Sequence, residues 1–167
     1  MKQLNHLTTN FKKRTFLITL VCDNISNATN IGSIFRTADA FGIEKIFFCG
    51  AHVPIGRKMS KTSRSTEKNV NYEVCESASK VVEQLKKQNY QIISLEITSN
   101  STPIHSFSFS KDNPIALVIG DENFGVSETI LDYSDAVLHI DMFGQNSSMN
   151  VVQAATIAFY EMTKQHV

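Results

Sequence analysis

With 167 residues, 42% hydrophobic and 19% charged, and only 3 Pro and 7 Gly, the chain has the composition of one globular domain, not of a disordered or fibrous segment. Its 16 basic and 16 acidic side chains give a formal net charge of zero, which taken alone argues against a general nucleic-acid binder. Cys22, Cys49 and Cys75 make neither an even disulfide set nor a close metal-ligand pair, no run approaches a membrane span, and MKQLNHLTTNFKK lacks a signal-peptide core. The expected compartment is therefore cytoplasmic.

The first element is FLITLVC, residues 16–22, an apolar run that reads as a buried strand. After an Asn-rich connection, IGSIFRTADAFG places Ile31, Ile34, Phe35, Ala38 and Phe41 at three- and four-residue steps, one face of a helix that Gly42 is placed to end. IEKIFFCG reads as the next strand, and residues 51–76 as a polar, irregular loop of a length usually kept for function. Ser77 caps the helix ASKVVEQLKKQ, whose apolar side is Val81, Val82 and Leu85, and the strand YQIISLEI follows. IALVIG, beyond Pro114, is apolar throughout, as a strand buried on both faces is. AVLHI is a further strand, and MNVVQAATIAFYEMTK is the last helix, with Val152, Ala155, Phe159 and Met162 aligned. This alternation predicts an α/β fold, a mostly parallel sheet covered by helices on both faces, with no internal repeat or domain boundary.

Charge is unevenly divided. Residues 1–68 carry 11 basic and 4 acidic side chains, and residues 69–167 carry 5 and 12. GRKMSKTSRSTEK gathers Arg57, Lys58, Lys61, Arg64 and Lys68 around the single Glu67. Such a run suits contact with phosphates, and its plainer reading is a solvated loop.

Three stretches carry a resemblance. NATNIGSIFRTADAFG, ALVIGDENFGVS and IDMFGQNSSMNVVQAATIAFYE, in this order and spacing, closely resemble the signature motifs of the SpoU/TrmH family of RNA 2'-O-ribose methyltransferases, within the SPOUT or α/β-knot superfamily. The resemblance runs over about residues 16–163 and includes KMSKTSRSTEKNVNYE. It departs at Asp121, where Asn is frequent, at Asp141, where Pro is frequent before Met142, and at Met149, where Leu is usual. It implies a single SpoU-type methyltransferase domain over residues 1–167, a C-terminal trefoil knot, S-adenosylmethionine as methyl donor and no metal. The implied substrate is RNA, first tRNA (a D-loop guanosine, from KTSRSTEKNVNYE) and next rRNA. The implied assembly is a homodimer joined through the helix near Asn30 and the C-terminal helix, with apolar contact around Phe35 and Phe159.

The resemblance also distributes roles. Donor binding is expected of loops after three strands: Leu95, Glu96 and Ile97; Ile119, Gly120 and Gly125; Ile140, Met142 and Met149. A missing Cβ at Gly120 and Gly125 is expected to admit the ligand. Catalysis is assigned to Asn30, Arg36, Glu122, Ser148 and Asn150, with Asn30 supporting the loops and Arg36 handling substrate. Six helical residues apart, Asn30 and Arg36 point about 120° away from each other, so they do not grip one small ligand together. A guanidinium stays protonated, which favours Arg36 as a clamp on phosphate and nascent alkoxide over a proton acceptor. Glu122 is expected to orient the arginine or tie loops together, and Ser148 to touch ligand or cap the last helix. A catalytically inactive RNA-binding module or assembly factor and a base-directed knotted methyltransferase are the competing readings. A dinucleotide oxidoreductase would need G-x-G-x-x-G after the first strand, which this chain lacks.

Overall fold

The computed structural model describes residues 1, 3, 4 and 8–167. Seven strands form one sheet: β1 (Phe16–Asp23), β2 (Ile43–Cys49), β3 (Asn71–Cys75), β4 (Gln91–Leu95), β5 (Thr102–Pro103), β6 (Ile115–Gly120) and β7 (Ala136–His139). Their order is β3-β2-β1-β6-β4-β7-β5, and every pairing is parallel. Parallel strands place all their C-terminal ends along one edge, where the connecting loops meet.

Alternation along the central strands assigns the helices to two faces. Leu20, Leu117 and Ile119 point into one core with α1 (Ala28–Phe41) and α5 (Val151–Gln165). Val21, Ala116 and Val118 point into the other, against α3 (Ala78–Lys87) and α4 (Glu128–Tyr133). A strand buried on both faces must be apolar at every position, which is why IALVIG carries no alternation.

Capping fixes the helix that matters most for the site. Asn27 Oδ1 accepts from the Thr29 and Asn30 N–H groups, so α1 begins at Ala28, three residues before its first fully buried position, Ile31. Gly42 ends it with φ of 63°, and a Cβ there would lie 2.0 Å from the Arg14 carbonyl oxygen. Ser77 caps α3 by accepting from Lys80 N–H at 3.4 Å.

The structure corrects two readings. Residues 51–76 are not irregular throughout: they contain α2 (Arg57–Ser63), a 3-10 turn (Thr66–Lys68) and β3. These escape periodicity because α2 buries only Met59 and Ser63, and because β3 is an edge strand with Val74 half exposed. The short β5 and α4 are likewise beyond the sequence pattern, and α4 buries only Ile130. Phe35 and Phe159, expected at a dimer contact, are fully buried within the chain's own core, where Phe35 packs against Phe48 and Tyr72. The apolar side chains left exposed on α5 are Ile157 and Tyr160.

Replacing Phe159 by Ala should therefore cost about 3–5 kcal/mol of folding stability. Urea unfolding followed by circular dichroism measures this, and a decrease below about 1 kcal/mol would contradict the core assignment.

Candidate active site

A cavity of about 500 Å³ opens where β4, β6 and β7 end, walled by residues 95–98, 119–126, 139–140, 142 and 147–149, with Val151 and Ala154 of α5. Each of the nine residues expected on the donor side lines it: Leu95, Glu96, Ile97, Ile119, Gly120, Gly125, Ile140, Met142 and Met149. Of the catalytic candidates, Glu122 and Ser148 line it as well.

The loop after β6 folds back on its own strand. Asp121 Oδ1 accepts from Asn123 N–H at 2.8 Å and from Phe124 N–H at 3.2 Å, and the Asp121 carbonyl accepts from Gly125 N–H at 2.8 Å. An aspartate does here what an asparagine side-chain carbonyl would do. A Cβ on Gly120 would lie 2.0 Å from the Gly125 carbonyl carbon. Gly125 has φ of 69°, and its Cβ would meet the Glu96 carboxylate at 2.3 Å. Both glycines thus make room for the protein's own atoms while they line the cavity.

Two carboxylates hold this loop. Glu96 Oε2 accepts from Val126 N–H at 2.9 Å, and Glu96 Oε1 from Ile97 N–H at 3.0 Å. Asp23, only 4% exposed, accepts from Ser127 N–H at 3.1 Å and from Asn24 Nδ2 at 2.9 Å. Asp23 is not among the residues expected from sequence. Its one signal there is an acid ending a strand otherwise apolar toward its C-terminal end.

Three catalytic candidates form one hydrogen-bonded chain across three elements. Asn30 Nδ2 donates to Glu122 Oε1, Asn150 Nδ2 donates to Asn30 Oδ1 at 3.2 Å, and Asn150 Oδ1 accepts from Val152 N–H at 2.9 Å. Asn150 is therefore the cap of α5, and Ser148 is not. Arg36 stands apart. It is exposed, does not line the cavity, and lies about 9 Å along the α1 axis from Asn30 at 1.5 Å per residue.

The basic run sits beside this chain. A Cβ on Gly32, two residues beyond Asn30, would lie 2.5 Å from the Met59 carbonyl oxygen, so α2 crosses the first turns of α1. Arg57, Lys58, Lys61, Arg64 and Lys68 are all exposed or half-buried, and among the described residues none makes an ion pair. Their one acidic neighbour, Glu67, accepts instead from Ser63 Oγ, which is the first cause holding its carboxyl below the usual range.

Thiol chemistry finds no support. Burial, and next the neighbouring Cys75, pushes the Cys49 thiol up to about 12, and burial raises Cys22 and Cys75 as well. Among the described residues no group of three or more His, Cys, Asp or Glu side chains is placed to hold a metal ion, and no helix is long and apolar enough to cross a membrane.

Comparison with known proteins gives a consistent result. The model of the SpoU rRNA Methylase family matches residues 17–160. The tRNA (guanosine(18)-2'-O)-methyltransferase of Aquifex aeolicus is 29% identical over 167 residues, which is 98% of this chain and 77% of that protein. The crystal structure of the A. aeolicus TrmH/SpoU tRNA modifying enzyme superposes with a TM-score of 0.82 at 27% identity, covering 92% of this chain and 77% of that one. The SpoU methyltransferase AviRb of Streptomyces viridochromogenes, solved with its cofactor AdoMet, has a TM-score of 0.79 at 24% identity, a likeness of fold. This chain spans 62% of AviRb, 92% of this chain being covered. The shared fold is the parallel α/β sheet flanked by helices, with the C-terminal trefoil knot.

Gly120→Ala should disrupt the β6 loop and cost at least about 1–3 kcal/mol, because the new methyl group meets backbone and not a movable side chain. Gly144→Ala, with open space around its Cβ, should cost less than about 1 kcal/mol. Thermal unfolding of the two variants side by side checks the contrast.

Proposed function

We propose that this chain, which belongs to the SpoU rRNA Methylase family, transfers a methyl group from S-adenosylmethionine to a ribose 2'-hydroxyl of RNA, with tRNA the first substrate and rRNA the second. The observation that carries this reading is the cavity at the ends of β4, β6 and β7. Its volume of about 500 Å³ suits a small-molecule ligand. Leu95, Ile119, Ile140, Met142 and Met149 supply apolar cover for a flat ring, and the lining holds Glu96, Asp121 and Glu122 with no Lys or Arg. A carboxylate-rich, cation-free wall favours a positively charged guest over an anionic one.

When bound, this donor supplies an electrophilic methyl group. The protein's own work is then to aim the ribose oxygen and manage charge as its proton leaves. Glu122, Asn30 and Asn150 lock the loops around the reacting position, Ser148 offers a hydroxyl beside it, and Arg36 clamps an RNA phosphate bidentately. The cations of α2 take further phosphates, a contact that fixes position without reading bases.

Arg36 lies outside the lining of its own chain's cavity, which supports a homodimer in which each site takes Arg36 from the partner. Ile157 and Tyr160, 40% and 60% exposed on α5, supply apolar surface for the contact. Closed C2 pairing is the commonest arrangement for a small enzyme.

Incubation with total RNA and labelled donor, followed by mass mapping of nucleosides, should yield a ribose-methylated product. Label on a base, or none anywhere, would overturn the reading in favour of the base-directed or the non-enzymatic alternative. Arg36→Ala should keep donor affinity within about twofold and reduce methyl transfer roughly 100-fold or more. A mixture of Arg36→Ala and Asn150→Ala chains should regain activity if the site is shared. Charge reversal at Lys58, Lys61 and Arg64 should weaken RNA binding and flatten its salt dependence, by roughly 0.7 to 0.9 in log–log slope for each phosphate no longer neutralised; filter binding across a salt series reads this directly.

A further inference from the structure

A second cavity, of about 400 Å³, adjoins the first at the end of β1. Asp23, Asn24 and Ser127 line it alone, and Asp121, Phe124 and Gly125 line it in common with the donor cavity. The loop after β6 is thus the partition that the two spaces share. The proposed chemistry fills the first space and leaves the second unused.

Phe124 is the unexplained residue of this partition. It is 90% exposed, and among the described residues it joins no aromatic pair. Its backbone is nonetheless fastened. Asp121 Oδ1 accepts from Phe124 N–H at 3.2 Å, and the next residues on, Val126 and Ser127, are tied to Glu96 and Asp23. A large apolar ring is therefore held toward solvent at a fixed place between two cavities, where it contributes little to the core.

The polar groups around the ring define the guest it suits. The second cavity has no Lys or Arg in its lining, which disfavours a phosphate. Asp23 is engaged on both oxygens, by Asn24 Nδ2 and Ser127 N–H, and Asp121 Oδ1 is engaged by two backbone N–H groups. Asp121 Oδ2, Asn24 Oδ1 and Ser127 Oγ have no hydrogen-bond partner among the described residues. They offer acceptors and one hydroxyl to a flat, uncharged molecule that carries N–H groups on its edge. A nucleobase has that form, with a face that stacks on an aromatic ring and an edge that hydrogen-bonds. Base and ribose of one nucleotide are joined by a single bond, so a base on one side of the partition leaves its ribose beside the other.

The geometry points to the second cavity as the seat of the target nucleotide's base, stacked on Phe124 with its N–H edge toward Asp121, while the ribose turns to the donor. This rests on the methyl-transfer reading for the occupant of the first cavity, and the second cavity is testable apart from it.

Guanosine serves as the probe, because its base carries N–H donors on one edge. Added to the full chain saturated with S-adenosylhomocysteine and followed by NMR, it should shift the amides of Asn24, Phe124 and Ser127 saturably. Phe124→Leu, which keeps apolar bulk and removes the aromatic face, should bind guanosine at least about fivefold more weakly, and Phe124→Tyr should bind it as the parent does. Calorimetry should find S-adenosylhomocysteine affinity unchanged in both variants. Phe143→Leu, at another exposed ring that lines neither cavity, should leave guanosine binding unchanged. With tRNA as substrate, Phe124→Leu should raise KM for RNA and not for the donor.

Absence of saturable shifts at Asn24 and Ser127, which line only the second cavity, overturns the proposal, as does equal guanosine affinity in the parent and Phe124→Leu. A matching loss of S-adenosylhomocysteine affinity would place the ring in the donor site and also overturn it. Sedimentation showing that Phe124→Leu breaks a dimer while guanosine binding persists would give the ring to a subunit contact instead. If guanosine binds as described but S-adenosylhomocysteine does not bind, the second cavity stands and the donor reading falls. If Phe124→Leu methylates tRNA with the parent's KM, methyl transfer stands and the stacking site falls.

Discussion

At the end of β6 two stretches of backbone meet with no side chain between them. The loop of residues 121–125 turns back so tightly that Gly125 rests on Gly120, closer than any Cβ would permit. Asp121 drives the turn through its side chain, and the positive φ of Gly125 completes it. Once folded, the loop presents Val126 and Ser127 N–H groups to Glu96 from the end of β4 and to Asp23 from the end of β1. The β6 side of the cavity wall thus rests on one backbone contact, held by carboxylates from the two strands on either side of β6.

The same loop carries Glu122 outward to Asn30, and through Asn30 to Asn150. These bonds join the β6 loop, the first turn of α1 and the cap of α5. Each of the two asparagines belongs to a helix start: Asn30 N–H is among those capped by Asn27, and Asn150 itself caps α5. The Glu122 carboxylate thus reaches the first turn of α1 through the Asn30 side chain, and the cap of α5 through Asn150 beyond it.

Electrostatically the chain is divided in space as well as in sequence. Carboxylates line the cavity, and cations cover α2, which crosses α1 beside Asn30. The zero net charge conceals this division. The ion pairs outside these regions, such as Lys45 with Glu73 and Lys87 with Glu83, lie at the surface and are screened by solvent.

Much of this is legible in the residues. The apolar run of IALVIG announces a strand buried on both sides, Gly42 marks the end of α1, and Ser77 the start of α3. Six of the nine cavity-lining residues expected from the resemblance lie within its ordered motifs, and Leu95, Glu96 and Ile97 at the end of β4 lie outside them. Elements whose burial is slight are not legible: α2, β3, β5 and α4 each turn few side chains inward, so their sequences carry too weak a period to read. Nor does periodicity reveal what buried apolar residues pack against, and Phe35 and Phe159 fill the chain's own core. Sequence by itself determined the alternation of strands and helices, because burial on one face or two imposes its period locally. Tertiary structure alone decided the contacts between distant segments: Gly120 against Gly125, Asp23 on Ser127, and Asn30 between Glu122 and Asn150. Such contacts arise where strand ends converge, and no local pattern of residues encodes which ends will meet.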